Sequence, residues 1–184
     1  MMLAYVFWHW PVPGIPLHEY VSRLRTFHDE ANDSLPAGML GSRAWRVGAA
    51  PWLPDGPTFE EWYLVENAGG LDGLAEGVAS EPLRSPHRAI AGEAGGGTAG
   101  LYTPVRSAEG TLEGSLAIWF DKPAGMSYAT LFEHLDAVDP DLSLRLWQRF
   151  LTLGPTTEFC LLGDEIPTLP DAWHTSVVRR QPVM

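Results

Sequence analysis

Apolar positions change their period several times along the chain, and each change marks an element. In "LAYVFWHW", residues 3–10, Tyr5, Phe7 and His9 alternate with Val6, Trp8 and Trp10, the two-residue period of a strand. Both sides carry large groups, so neither side can face water. Beyond a proline-containing turn and Gly14, the residues Leu17, Tyr20, Val21 and Leu24 recur at i, i+3, i+4 and i+7. That spacing predicts one apolar face of a helix. Extended runs follow at "SRAWRVG" (42–48) and "FEEWYLVEN" (59–67), then a short, glycine-weakened helix at "GGLDGLAEGVAS" (69–80). A further helix begins in "SPHRAIAGEAGGG", where Pro86 suits a first turn, and "AGLYTPV" closes the series as a strand. The predicted order is β-α-β-β-α-β.

The second half of the chain echoes the first. "LAIWF" at 116–120 answers "LAYVF" at 3–7, and Gly125 answers Gly14. In the same register Tyr128, Leu131, Phe132 and Leu135 fall opposite the first helical stripe. "QRFLTLG" (148–154) and "TEFCLLGD" (157–164) take the places of the two inner runs, with Glu158 opposite Glu61 and Phe159 opposite Trp62. The next connection, "GDEIPTLPDA", carries two prolines and is too short for a good helix before the final strand "WHTSVVRR". The expectation is an α+β chain of two ferredoxin-like β-α-β-β-α-β repeats, the second trimmed, with their sheets facing each other as an internal pseudo-dimeric α+β barrel. Residues 1–105 form the first repeat, 106–114 a linker and 115–184 the second repeat. Such a monomer is complete in itself, although an uncovered edge of the trimmed repeat offers a route to a homodimer.

Composition removes several functions. Twelve Lys and Arg against 23 Asp and Glu give a net charge of −11, which lacks the phosphate-neutralising excess of a nucleic-acid partner. The opening has no basic segment, and its apolar run is too short to span a bilayer, so it reads as a strand and no membrane association is expected. A single cysteine, Cys160, inside an apolar run, reads as an inert core thiol of a cytoplasmic protein. No Cys and His pairs have zinc spacing, and there is neither a phosphate-binding loop nor a G-x-S-x-G elbow. No metal and no cofactor is expected; a heme would find only histidines as ligands, and no motif supports heme or flavin.

The segment "IPLHEYVSRLRTFHDEANDSLPAGMLGSRAWRVG" resembles the EthD-like group of dimeric α+β barrel proteins, in which an aromatic residue on the first helix precedes a histidine by eight positions. Tyr20 and His28 have that spacing, and the likeness extends in element order over about residues 3–105. It implies a cofactor-free lyase, isomerase or monooxygenase acting on a small hydrophobic, aromatic or enolisable molecule. The rival expectation is a non-catalytic, hydrophobic-ligand-binding or stress-related barrel. His28 is the candidate acid or base, since imidazole titrates near neutrality. Its bland alternative is a polar cap near the helix end. Tyr20 and His9 are candidate substrate contacts, as are Trp8, Trp10, Trp45 and Trp62, which would form a flat wall for an aromatic ligand if they do not merely fill the barrel. Arg43 completes the set, as a residue to hold an anionic oxygen or, like Arg46, to pair with Glu61. His87 and His134 read as structural or solvent-facing.

Overall fold

The computed structural model describes residues 1–105, 112–141, 144–152 and 156–183. Its elements run β1 (Leu3–Pro11), α1 (Leu17–Ser34), β2 (Met39–Val47), β3 (Thr58–Val65), α2 (Gly69–Ala79), α3 (Arg84–Ala91) and β4 (Ala94–Pro104). They continue as β5 (Leu116–Phe120), α4 (Tyr128–Val138), β6 (Arg145–Thr152), β7 (Phe159–Gly163) and β8 (Ser176–Pro182). One 3-10 turn, Asp171–Trp173, stands in the connection before β8, where two prolines preclude a helix. Of the expected linker at 106–114, residues 106–111 lie outside the described residues.

The strands close into one antiparallel barrel in the order β1-β3-β2-β8-β5-β7-β6-β4. Each half contributes strands in the same relative order, β4-β1-β3-β2 and β8-β5-β7-β6, and the halves meet at β2 with β8 and at β4 with β6. Closure corrects the expected free edge, because every strand has a partner on both sides.

Alternation on the strands sorts side chains between two compartments. Val6 and Trp8 of β1 point into the barrel with Trp45, Trp62, Tyr102, Trp119 and Trp147, all fully or nearly buried. Two buried charges stand among these rings. Glu60 accepts from the indole N–H groups of Trp8 and Trp62 at 2.9 and 2.8 Å, and Arg180 Nε lies 3.0 Å from it. The Arg180 guanidinium also lies 3.5 Å over the Trp45 ring. The tryptophans therefore fill the barrel and hold an ion pair inside it.

The other compartment lies outside the barrel wall, beneath the helices. In the second half α4 and the 3-10 turn cover Ile118, Phe120, Phe159 and Leu161 with Leu131, Leu135 and Trp173. In the first half α1 buries Tyr20, Leu24, Phe27, His28 and Ala31 against the sheet. The helix stops at Leu35, which takes a left-handed conformation (φ 39°) and donates its N–H to Ala31 before Pro36 bars continuation. His28 is thus inside the helix, six residues before its last residue Ser34, and not at its end.

Candidate functional site

On β1 the outward residues Tyr5, Phe7 and His9 form a ladder of rings, with Phe7 and His9 stacked at 5.3 Å and 5°. Gly97 on β4 makes room for it, since a Cβ there would meet the Phe7 ring. On β3 the outward residues are Phe59, Glu61 and Tyr63 beside them. The helices α1, α2 and α3 do not seal this face. They leave a cavity of about 480 Å³, walled by apolar groups that include Phe7, Phe27, Leu74, Val78, Ile90 and Leu101. Its polar lining consists of Tyr5, His9, Tyr20, Glu61, Tyr63 and His87. The size and the small number of converging polar groups are those of a small-molecule site.

Glu61 organises the polar end. His9 Nε2 lies 2.7 Å from Glu61 Oε1, a close ion-pair contact, and His28 Nε2 lies 2.8 Å from Oε2. The Tyr63 hydroxyl donates to the same Oε2. Burial alone would raise the Glu61 carboxyl, but the adjoining His9 and the hydrogen bonds from His28 and His9 outweigh it and hold the carboxyl far below its usual range. Glu61 is therefore a fixed negative charge and a poor base. Its charge adds to burial in holding the Tyr63 and Tyr20 hydroxyls above the ordinary phenol value, so both stay protonated.

Each histidine has a second partner. His9 Nδ1 meets the Tyr20 hydroxyl at 2.6 Å, and His28 Nδ1 meets Ser42 Oγ at 2.7 Å. Ser42 is held in turn by Asn32, whose Oδ1 accepts from the Ser42 backbone N–H at 2.8 Å. Tyr20, His9, Glu61, His28 and Ser42 thus form one continuous chain of polar contacts, hydrogen-bonded at Tyr20–His9, Glu61–His28 and His28–Ser42 and joined by the ion-pair contact at His9–Glu61. With Nε2–H turned to Glu61, His9 Nδ1 is an acceptor for the Tyr20 proton, the tautomer logic of a histidine oriented by a carboxylate. All four imidazole nitrogens are engaged within the protein. Among the described residues no group of three or more His, Cys, Asp or Glu side chains is arranged to hold a metal ion.

The expected site residues fall in different places. His9 and Tyr20 meet at the cavity, and Glu61 joins His28 to His9. His28 is completely buried behind Glu61 and does not line the cavity. Trp8, Trp45 and Trp62 lie in the barrel interior, on the far side of the sheet. Trp10 is half-buried beside Gly96 of β4. Arg43 and Arg46 are both exposed, and neither pairs with Glu61, whose partners are the two histidines and Tyr63. The residues that sequence reasoning passed over are Glu61 as the hub, Tyr63, Ser42 and His87. A signal for Glu61 was present: in "FEEWYLVEN" it shares its side of the strand with Phe59, Tyr63 and Val65, an apolar face that admits a charge only with partners. His87 lines the cavity from α3, with its ring 5.7 Å from that of Phe27.

No family model and no curated protein sequence matches the chain. Solved structures do. A candidate monooxygenase from Lactobacillus acidophilus superposes with a TM-score of 0.56 at 12% identity, over 100% of this chain and 95% of that one. A candidate chlorite dismutase superposes with a TM-score of 0.52 at 14% identity, over 98% of this chain and 94% of that one. An anthrone oxidase-like protein gives a TM-score of 0.49 at 11% identity, over 100% and 91% of the two chains. At such identities the first two likenesses establish the fold alone, a mixed α+β barrel shared over essentially the whole chain.

Proposed function

We propose that the protein is a small-molecule enzyme of the cofactor-free type, acting on a hydrophobic, aromatic or enolisable substrate. The observation that carries this reading is the chain Tyr20–His9–Glu61 at the polar end of an otherwise apolar cavity. A substrate whose acidic C–H or O–H group meets Tyr20 gives its proton to the tyrosine oxygen as Tyr20 passes its own proton to His9 Nδ1. The bonding electrons stay on the substrate as an enolate or phenolate. The new imidazolium is stabilised by Glu61, which remains ionised throughout. Tyr20 never carries a full negative charge, in keeping with its raised pKa. The apolar walls exclude water and so strengthen the interaction of Glu61 with His9. His28 acts through Glu61, as a positioning residue that fixes one carboxylate oxygen while His9 uses the other. Isomerisation, elimination or reaction with dioxygen could each follow from the same first step, and the two full-length structural neighbours are compatible with small-molecule chemistry on this fold.

The same reading takes residues 1–105 and 115–184 as duplicated repeats, supported by their common strand order, with chemistry in the first repeat alone. The chain then works as a cytoplasmic monomer, consistent with its single, buried cysteine. No helix among the described residues is long and apolar enough to cross a membrane.

A second reading, a barrel that stores a hydrophobic ligand without changing it, is favoured by one observation. Both ring nitrogens of His9, the imidazole at the polar end of the cavity, already lie against protein groups, Tyr20 and Glu61. Calorimetric screening of phenols and enolisable ketones, followed by product analysis for each binder, separates the two. Turnover that His9→Gln removes supports the enzyme; submillimolar binding without turnover of any binder supports storage.

A further inference from the structure

Six polar side chains line the cavity, and four of them are engaged with one another. Tyr20 meets His9, and His9 and Tyr63 both meet Glu61. The other two, Tyr5 and His87, have no hydrogen-bond or ion-pair partner among the described residues. Both stand away from Tyr20 and His9. Along β1 the outward rings run His9, Phe7, Tyr5, with centroids 5.3 and 6.3 Å apart, so four residues of strand carry Tyr5 about 13 Å from His9. Helix α1 follows the same direction. Its Tyr20 ring packs 5.6 Å from His9, and seven residues later, about 10 Å along the helix, its Phe27 ring packs 6.4 Å from Tyr63. Tyr63 in turn lies 6.0 Å from Tyr5, and His87 stands beside Phe27 at 5.7 Å. The cavity therefore has two polar ends. Between them the lining is apolar apart from Glu61 and Tyr63, whose polar atoms bond to each other.

We infer that the cavity takes an elongated, uncharged ligand with an oxygen at each end: one hydroxyl or carbonyl at Tyr20, and a second held by Tyr5 and His87 at the far end. The inference rests on the reading of Tyr20 as the end where reaction occurs, and it adds a subsite that sets length and polarity. Burial, and then the Glu61 charge, raise the Tyr5 hydroxyl above the ordinary phenol value, so it stays protonated and donates. An imidazole nitrogen of His87 donates or accepts according to its tautomer, which suits a hydroxyl as well as a carbonyl. The absence of charge follows from Glu61, which is ionised at the cavity wall, while no Lys or Arg lines the space. A carboxylate there would lose its water and face a like charge. A site built to hydrogen-bond a second oxygen also discriminates against a ligand without one, because the waiting polar groups would then be covered and left unpaired.

Calorimetry with three biphenyls tests this without any turnover: one with a hydroxyl at both para ends (the diol), one with a single para hydroxyl (the mono-ol), and one with a hydroxyl at one end and a carboxylate at the other. The parent is expected to bind the diol about tenfold more tightly than the mono-ol, the worth of hydrogen bonds made at the second end. Tyr5→Phe, which keeps the ring, and His87→Leu should each about halve that ratio. Together they should bring it to about two, the statistical advantage of a ligand that can enter either way round. The carboxylate should bind the parent more weakly than the mono-ol. A ratio near two in the parent, or a ratio that the double variant leaves unchanged because both compounds weaken alike, would overturn the inference by leaving the far end to packing alone. Equal or tighter binding of the carboxylate would overturn the assignment of an uncharged ligand, and binding of none of the three would overturn the subsite. The expected ratios with no turnover of any binder would support the subsite and remove the enzyme reading alone.

Discussion

At the scale of single residues, the site depends on one buried carboxylate that satisfies two imidazoles and a phenol. Glu61 has a pKa below its unfolded value, so the unfolded chain binds the extra proton first as the solution is acidified. Its contribution to stability is therefore complete above the unfolded carboxylate pKa of about 4.3 and is lost as pH falls through the lower folded value. Denaturation of parent and Glu61→Gln protein at a series of pH values should show a stability difference that is constant near neutrality and shrinks below about pH 4. A difference independent of pH would mean that the carboxylate is not ionised in the fold. His28 yields a second prediction at this scale. A histidine at an exposed helix end would be replaced at little cost, as "FHDEANDSLPAGM" suggests by its acidic, proline-terminated close. The observed His28 is completely buried and bonded at both nitrogens. His28→Ala should therefore cost about 1 to 3 kcal/mol in urea unfolding, the usual cost of leaving buried partners unsatisfied.

At the scale of elements, the cavity lies between the sheet and the helices α2 and α3, which supply much of its wall. Their approach is set by backbone contacts at glycine: a Cβ on Gly73 would run into the Ala37 carbonyl oxygen in the turn between α1 and β2. Gly73→Ala should push α2 outward, lowering stability by about 1 to 3 kcal/mol and weakening the binding of any cavity ligand, both measurable by thermal denaturation with and without that ligand. These elements were legible in the sequence wherever periodicity was strong. The stripe Leu17, Tyr20, Val21, Leu24 announced α1, and the alternation in "AYVFWHW" announced a strand buried on both faces. It also divided the two faces as they are found, with Tyr5, Phe7 and His9 under the helices and Val6 and Trp8 in the barrel. Periodicity could not say which compartment stays empty. Tryptophan enrichment drew attention to the barrel, yet large rings fill space, and the vacancy lies where the small residues Ala94, Ala99 and Gly100 of β4 leave it. Nor could it join residues from different strands: Glu61 is 33 positions from His28 and meets it only through the pairing of β3 with β2 and the seating of α1.

At the scale of the whole molecule, the barrel closes within one chain, and its interior is occupied by aromatic rings around the Glu60–Arg180 pair. Closure leaves no strand edge to recruit a second copy. Light scattering at two concentrations tenfold apart should give the mass of one chain, 20.2 kDa, at both. A concentration-dependent mass would show that association uses some other surface. With the barrel filled, the proposed chemistry is assigned to the space between sheet and helices, with Tyr20 and His9 at its polar end. Deuterium wash-in tests that claim most directly: phenols and enolisable ketones found to bind are incubated with the protein in D₂O, and label at their acidic carbons is followed by mass spectrometry. The account predicts exchange well above the buffer rate with the parent protein, reduced by roughly 10²- to 10⁴-fold in His9→Gln, the usual worth of an acid or base group. Bound compounds that gain label no faster than in buffer, or equal labelling by parent and His9→Gln protein, would contradict it.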